Sequence, residues 1–364
     1  MREPCPQDGV ATPPILKVNN DVLIRLAEEV KCAGGALRQF SMTCKRLRMC
    51  SMSTLFRACV VNQWGTMTKD SFLPESLWPY VQTLAIRGVC NCWQDFGPST
   101  AVTSPIGPFL CDIYDATMLR NALTAMPGLR AVTLLCPRQA NHGLSWDVLQ
   151  AILAVPQLHQ FTCHRYLFSP KATPIDHLVL AGSTSLTSFR YMLNTYRCSP
   201  RTHEPEKTAL KALLRTHHQV LEVLWMPTES TPWRTICALE WPSLRELRLR
   251  GEFDWSGGLL LGALGNMPNL RLLKLDFTLP HNTHPQTIWP QGYNAPYSWP
   301  MLEDVQVSFP CPDDHLYARL PLTLCRLSLR FFPHQIVHEW CTRKHQEWHF
   351  PSPDAGHLTT LQLP

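Results

Sequence analysis

The sequence has few charged residues and no apolar run long enough to cross a membrane. Asp, Glu, Lys and Arg make up 17% of its 364 residues, and the formal net charge is +5. With 45% hydrophobic residues, this composition excludes wholesale disorder, and the chain is long enough to bury a large core. No stretch approaches the ~18 consecutive apolar residues of a membrane-spanning helix, and the first twenty residues lack the apolar segment of a secretory signal. We therefore expect a soluble protein of the cytoplasm or nucleus that does not contact a membrane.

The residue patterns of metal, nucleotide and catalytic sites are also missing. The 15 cysteines are scattered, and Cys90-x-Cys92 has no second pair at zinc-ligand spacing, so reduced thiols are expected. The sequence has no G-x-x-x-x-G-K-[ST] loop, no G-x-G-x-x-G turn after a strand and no G-x-S-x-G elbow. Near the C-terminus, helical spacing places five residues on one face: His334, His338, Cys341, His345 and His349. This pattern predicts a histidine-rich amphipathic helix, and a zinc site is the alternative. We expect no cofactor, no metal and no catalytic activity.

One short phrase, Pro-x-Leu-x-x-(Leu/Val)-x-Leu, recurs along the chain, usually after Met or Trp. Its clearest copies are Met126–Leu134, Val155–Phe161, Trp241–Leu249, Met267–Leu275 and Trp299–Val307, and looser copies begin at Val81, Leu186, Leu221, Leu324 and Leu358. From Leu129 to Leu358 the copies are about 29 residues apart on average, which matches the period of leucine-rich repeats. Each copy alternates like a strand, and amphipathic helical patterns lie between copies. Such a unit can bury its apolar face only against a neighbour.

These repeats predict an α/β solenoid over residues 80–364 with a parallel sheet on one face. Unrelated α/β units with chance leucines are the alternative. Three stretches, 88–114, 197–206 and 280–300, break the period and are expected to project as loops. The last one carries four aromatic residues between Trp289 and Trp299, which could anchor a partner or fold against their own repeat.

Residues 15–61 differ from the repeats. They contain eight Lys/Arg against three Asp/Glu, so the whole basic excess of the chain is local. Apolar spacing predicts three short helices there, followed by a linker at 62–79. Nucleic acid is not an expected partner, because the basic residues lack the interleaved aromatic residues of a nucleic-acid interface.

The three predicted helices resemble an F-box. The matching residues are Val18-Asn-Asn-Asp21-Val22-Leu23-x-x-Leu26, then Leu37-x-x-Phe40-x-x-Thr43-Cys44-Lys45-Arg46-Leu47, then Leu55-Phe56-Arg57. With the repeats behind them, they are most similar to the F-box plus leucine-rich-repeat proteins abundant in mushroom-forming fungi. Two departures are that Val18-Asn19 stands where the family usually has Leu-Pro, and that Gly34-Gly35 replaces the more usual acidic residue and its neighbours.

The resemblance implies a non-catalytic substrate-recognition subunit of an SCF (cullin–RING) ubiquitin ligase. In that family the F-box docks on a small adaptor, which joins it to a cullin, and the distal repeats hold the substrate so that proximity promotes ubiquitin transfer. Carried over to this sequence, the adaptor-facing residues are Val18, Val22, Leu23, Leu26, Leu37, Phe40, Cys44, Lys45, Leu47, Leu55 and Phe56. The same residues could instead cap the first repeat of a protein-binding scaffold outside any ligase.

If the strands stack in parallel, the residue between the two apolar positions of each copy lines one surface. That row is Ala85, Thr133, Thr162, Arg190, Trp225, Arg248, Lys274, Gln306, Ser328 and Gln362. Because neighbouring strands lie ~4.8 Å apart, Trp225 is expected between Arg190 and Arg248 in a cation–π arrangement. Arginine clusters favour acidic or phosphorylated protein segments, although a mixed face with internal ion pairs is the alternative. The candidate substrate-binding residues are Arg190, Trp225, Arg248, Arg250, Lys274, Arg326 and Arg330.

Overall fold

The computed structural model describes residues 15, 18–32, 36–64, 68, 71–89, 113–136, 142–169, 185–193, 203–252, 259–278, 287–289, 291–292, 299–308, 310–311, 314–330 and 359–362. Most of the loops expected at 88–114 and 280–300, the histidine-rich helix and the Gly34-Gly35 turn lie outside the described residues. Among the described helices, none is long and apolar enough to cross a membrane.

Three short helices form an N-terminal bundle: α1 (Asn20–Cys32), α2 (Leu37–Met42) and α3 (Lys45–Leu55). Its small core is Leu23, Leu47 and Cys50. The Arg46 guanidinium donates to the Val18 carbonyl at 2.6 Å, near the start of α1, and Lys31 Nζ donates to the Thr54 carbonyl at 3.3 Å, near its end. Helices α1 and α3 therefore run parallel, and α2 lies in the connection between them.

The first strand of the sheet and a 3₁₀ helix both overlap the stretch predicted as a linker, 62–79. Only two residues, Phe56 and Arg57, separate α3 from strand β1 (Ala58–Trp64), and a 3₁₀ helix covers Glu75–Tyr80. Phe56 packs against the main core, and the Arg57 side chain forms a 2.6 Å ion pair with Glu28 of α1. Strand β1 thus crosses residue 61, the predicted end of the N-terminal unit. The sequence did not predict this strand, because it lacks the Pro-x-Leu phrase of the clearest copies.

Within the described residues the main sheet has eleven strands, of which ten are parallel. The strands in chain order are β1, β2 (Thr83–Val89), β3 (Ala131–Leu135), β4 (His142–Ser145), β5 (Gln160–His164), β6 (Tyr166–Ser169), β7 (Ser188–Met192), β8 (Val223–Pro227), β9 (Glu246–Glu252), β10 (Leu272–Thr278), β11 (Asp304–Ser308), β12 (Arg326–Arg330) and β13 (Thr359–Gln362). Strands β4 and β6 form a separate parallel pair, and the others follow one another in order across the main sheet. The predicted parallel sheet is thus present over ten strands.

The last strand departs from the prediction. β13 pairs with β12 in antiparallel orientation, so that Gln362 lies opposite Arg326 and Thr360 lies opposite Ser328. Gln362 therefore does not continue the predicted row. The phrase beginning at Leu358 has the strand alternation of the other copies, and alternation alone does not distinguish the two orientations.

The same hydrogen-bond arrangement recurs at every step from β1 to β12. One backbone carbonyl accepts the N–H groups of two consecutive residues in the next unit, as the Arg245 carbonyl does from Arg271 and Leu272 at 2.8 and 2.9 Å. The accepting carbonyls belong to Arg57, Gln82, Arg130, His159, Thr187, Glu222, Arg245, Arg271 and Glu303. From Gln82 onward each of these residues follows a buried aliphatic residue, the first apolar position of a predicted copy. The recurrence makes each unit a structural repeat.

The helices α4 (Ala116–Thr124), α5 (Trp146–Leu153), α6 (His203–His217), α7 (Trp233–Ala238) and α8 (Leu259–Gly265) contribute to one continuous core with the apolar strand positions. We call the opposite side of the sheet the polar face. Helix α6 begins inside the loop predicted at 197–206. Pro205 lies in its first turn, where a missing N–H costs no helical hydrogen bond, so this proline does not prevent the helix from forming.

Candidate functional site

The polar face carries a row of side chains that follows the predicted register. Consecutive Cα pairings join Val60, Ala85, Thr133, Thr162, Arg190, Trp225, Arg248, Lys274, Gln306 and Ser328. We call this set the polar row. Val60 was not predicted because β1 was not recognised as a strand. Gln306 and Ser328 are buried, each 4% exposed, so the accessible part of the row ends at Lys274.

Trp225 lies between two guanidinium groups, as predicted. The Cζ atom of Arg190 is 4.5 Å from the centroid of the Trp225 ring, and that of Arg248 is 5.0 Å away. The indole Nε1 donates to Glu246 Oε1 at 2.8 Å. Because both faces of the ring and its only donor are engaged, Trp225 orients the two arginines.

Internal ion pairs neutralise part of this surface, as the alternative interpretation anticipated. Arg248 Nη2 is 2.5 Å from Asp276 Oδ2, and its Nε donates to the same oxygen at 2.8 Å. Gln306 donates to the other oxygen of Asp276. Farther along the sheet, Arg326 pairs with Asp304 at 2.8 Å. Sequence reasoning did not assign these pairs, although the opposite charges on neighbouring strands are the signal that reveals them.

Two cations of the polar row are left without such compensation. Arg190 and Lys274 are half-buried, and neither forms an ion pair with a carboxylate of the described residues. Of the other predicted residues, Arg250 is exposed at the edge of this surface, and Arg330 is half-buried. His164 adds no charge near neutral pH, because burial and the nearby Arg165 cation lower the pKa of its imidazole.

The residues predicted to face an adaptor divide between the surface and the interior of the bundle. Val22 and Leu26 are 53% and 37% exposed, and Lys45 is also exposed. Leu23, Leu37 and Leu47 are buried and form or support the core, so in this structure they cannot contact a partner directly. The remaining predicted residues are half-buried: Val18, Phe40, Cys44, Leu55 and Phe56.

Two exposed methionines of the bundle were missed. Met42 at the end of α2 is 60% exposed, and Met49 on α3 is 67% exposed. Sequence reasoning passed over them because it followed the spacing of the apolar stripe, whereas both lie off that stripe. An apolar residue at a position that faces away from the stripe is the signal that identifies such a surface.

Two of the four aromatics in the loop expected at 280–300 belong to the core. Trp289 and Trp299 are 2% and 1% exposed and pack edge to face with centroids 5.7 Å apart. Buried Asp314 accepts from the backbone N–H groups of Ile288 and Trp289, which ties this segment to its repeat. These two tryptophans therefore do not anchor a partner.

No protein-family model matches the chain, and no curated protein matches it either. Within the described ranges, no group of three or more His, Cys, Asp or Glu side chains is arranged to hold a metal ion.

Proposed function

We propose that this chain is the substrate-recognition subunit of an SCF ubiquitin ligase. Exposed apolar side chains concentrated on the N-terminal bundle carry the proposal. Of the eight large hydrophobic residues exposed in the described part of the chain, five belong to residues 15–49: Ile15, Val22, Leu26, Met42 and Met49. This concentration of exposed apolar residues on so small a unit supports a role in protein binding.

The connection between the bundle and the sheet supports a mechanism based on proximity. The Arg57 carbonyl accepts from Gln82 and Thr83 of the next repeat at 2.9 Å, and the Arg57 side chain pairs with Glu28 of α1. The bundle is thereby held to the first strands of the sheet. An adaptor bound to the bundle, with its cullin, would stand at a defined distance from a substrate on the polar face. The chain itself would perform no chemistry, because holding the substrate lysine near the conjugating enzyme is sufficient to accelerate transfer.

The expected substrate is a protein with an acidic or phosphorylated segment, bound at the polar face around Arg190 and Lys274. The expected compartments are the cytoplasm and the nucleus, where thiols stay reduced.

Adaptor capture tests the proposal. Wild-type chain should retain purified adaptor and cullin, and Val22→Asp/Leu26→Asp should retain neither while keeping the wild-type circular dichroism spectrum. Leu23→Asp is unsuitable, because Leu23 is 0% exposed and the carboxylate would disrupt the bundle core. Met301→Asp is the matched control, since Met301 is 41% exposed on a repeat far along the chain. Failure of the wild type to retain adaptor would overturn the proposal.

A protein-binding scaffold outside any ligase is the second candidate. Phe56, one of the residues predicted to face an adaptor, is half-buried and packs against the core of the repeats. This contact favours a bundle that caps the repeats. Substrate binding without adaptor binding would identify such a scaffold.

A further inference from the structure

The polar row between β7 and β10 carries its uncompensated charge at its two ends. Arg190 lies on β7 and Lys274 on β10, with Trp225 and Arg248 between them. Arg248 is neutralised by Asp276, and Trp225 is neutral. A bound segment would therefore meet two separate cationic points with a neutral middle.

Arg190 is held in place before any ligand binds. Its guanidinium stacks on Trp225, and its buried Nε makes no hydrogen bond to a described residue. A planar guanidinium restrained by an aromatic ring loses little freedom when it pairs with a carboxylate or phosphate, which favours binding. Trp225 therefore acts as a positioning residue for the Arg190 guanidinium.

The distance between the two points sets the spacing of the groups they bind. Three strand steps separate Arg190 from Lys274, and at ~4.8 Å per step this is about 14 Å. An extended peptide advances ~3.4 Å per residue, so about four residues span that distance. In an extended peptide, two side chains that are an even number of residues apart point to the same side. A spacing of three or five residues would point one of the two anionic side chains away from the sheet.

We infer that the polar row binds an extended substrate segment that carries two anionic groups four residues apart, with an uncharged residue midway. The inference names the ligand class for the substrate-binding face of the proposed function and rests on that role. Carboxylates and phosphates share the required chemistry. Glu246 and Asp276 flank the middle of the row and disfavour a third negative group there.

Labelled nine-residue peptides of Gly, Ala and Ser test the spacing in fluorescence polarisation with the full chain. One set carries two glutamates and the other two phosphoserines, each pair placed two, four or six residues apart. The four-residue spacing should bind about five-fold more tightly than either other spacing, and added salt should weaken it. Comparison of the two sets shows which anion is preferred. Equal affinity at all three spacings would overturn the inference.

Single substitutions test the two points. Arg190→Gln and Lys274→Gln should each reduce the affinity for the four-residue peptide to that of a peptide with one anion. Trp225→Leu should weaken binding while leaving the charge unchanged, because it frees the Arg190 guanidinium. Arg215→Gln, on the exposed side of α6, is the matched control and should have no effect. Equal affinities for all these variants would contradict the inference.

Adaptor binding by the same preparations separates this inference from the proposed function. If the chain captures the adaptor but shows no preference for peptide spacing, only the inference about the anion spacing is refuted. If the chain prefers the four-residue spacing but does not capture the adaptor, the ligase proposal is refuted and the anion-binding site is supported.

Discussion

Replacing His217 with leucine should remove much of the acid sensitivity of the fold. His217 ends α6 and is 1% exposed, and neither ring nitrogen hydrogen-bonds to a described residue. Burial without a partner disfavours the imidazolium and lowers the pKa of His217 from 6.5 to about 4. Leucine is of similar size and apolar, so we expect the variant to be as stable as wild type at neutral pH.

The sign and magnitude follow from the protons bound in each state. Below pH 6.5 the unfolded chain protonates this histidine while the folded chain keeps it neutral, so the unfolded state binds more protons and is favoured. The stability that the neutral side chain contributes is present above pH 6.5 and is lost as the pH falls towards 4. At ~1.4 kcal/mol per pKa unit, the loss is about 2 kcal/mol at pH 5 and about 3 kcal/mol at pH 4.

Urea unfolding at pH 7.5 and pH 5.0 measures this effect. The difference in unfolding free energy between the two pH values should be about 2 kcal/mol smaller for His217→Leu than for wild type. His159→Gln alters an exposed histidine and should retain the wild-type difference. An equal pH dependence in wild type and His217→Leu would refute the reasoning.

Three further substitutions test the packing. Gly251→Ala should lower the unfolding free energy by about 2 kcal/mol, because Gly251 has φ +121° and a Cβ there would collide with the Glu229 carboxylate. Asp314→Ala should cost about 3 kcal/mol in the same assay, since three backbone N–H groups lose their buried acceptor, and Asp314→Asn should cost less. Trp299→Phe should lower the thermal midpoint, with a loss of about 2 kcal/mol, because the indole donates to the buried Leu264 carbonyl at 2.9 Å. If the unfolding free energy of any of these variants equals that of wild type, the stabilising role assigned to the contact it removes is wrong.

The register of the sheet was predictable from sequence because the repeated phrase marks the same position in each strand. Once the first leucine of each copy is aligned, alternation assigns the polar row without further information. The contact of Arg190 and Arg248 with Trp225 followed from that alignment alone. The alignment alone does not show that Arg248 pairs with Asp276, because it also places the carboxylate of Glu246 near Arg248.

Other features depend on tertiary contacts that the phrase does not encode. Strand β1 has no proline and no leucine, so it carries no repeat signal, yet it pairs with β2 along all seven residues. In the bundle, Val22, Leu23 and Leu26 are all apolar, and only the direction in which α3 packs decides that Leu23 is buried and the other two exposed. The antiparallel pairing of β13 likewise cannot be inferred from alternation.

Calorimetric titration of the adaptor into wild-type and Val22→Asp/Leu26→Asp chains tests the central claim most directly. We predict a saturable one-to-one complex for wild type and for Met301→Asp, and a loss of about 4 kcal/mol or more, roughly a thousand-fold in affinity, for the double variant, because burying two carboxylates in an apolar interface is costly. No heat of binding with wild type, or equal affinities for wild type and the double variant, would contradict adaptor docking through the N-terminal bundle.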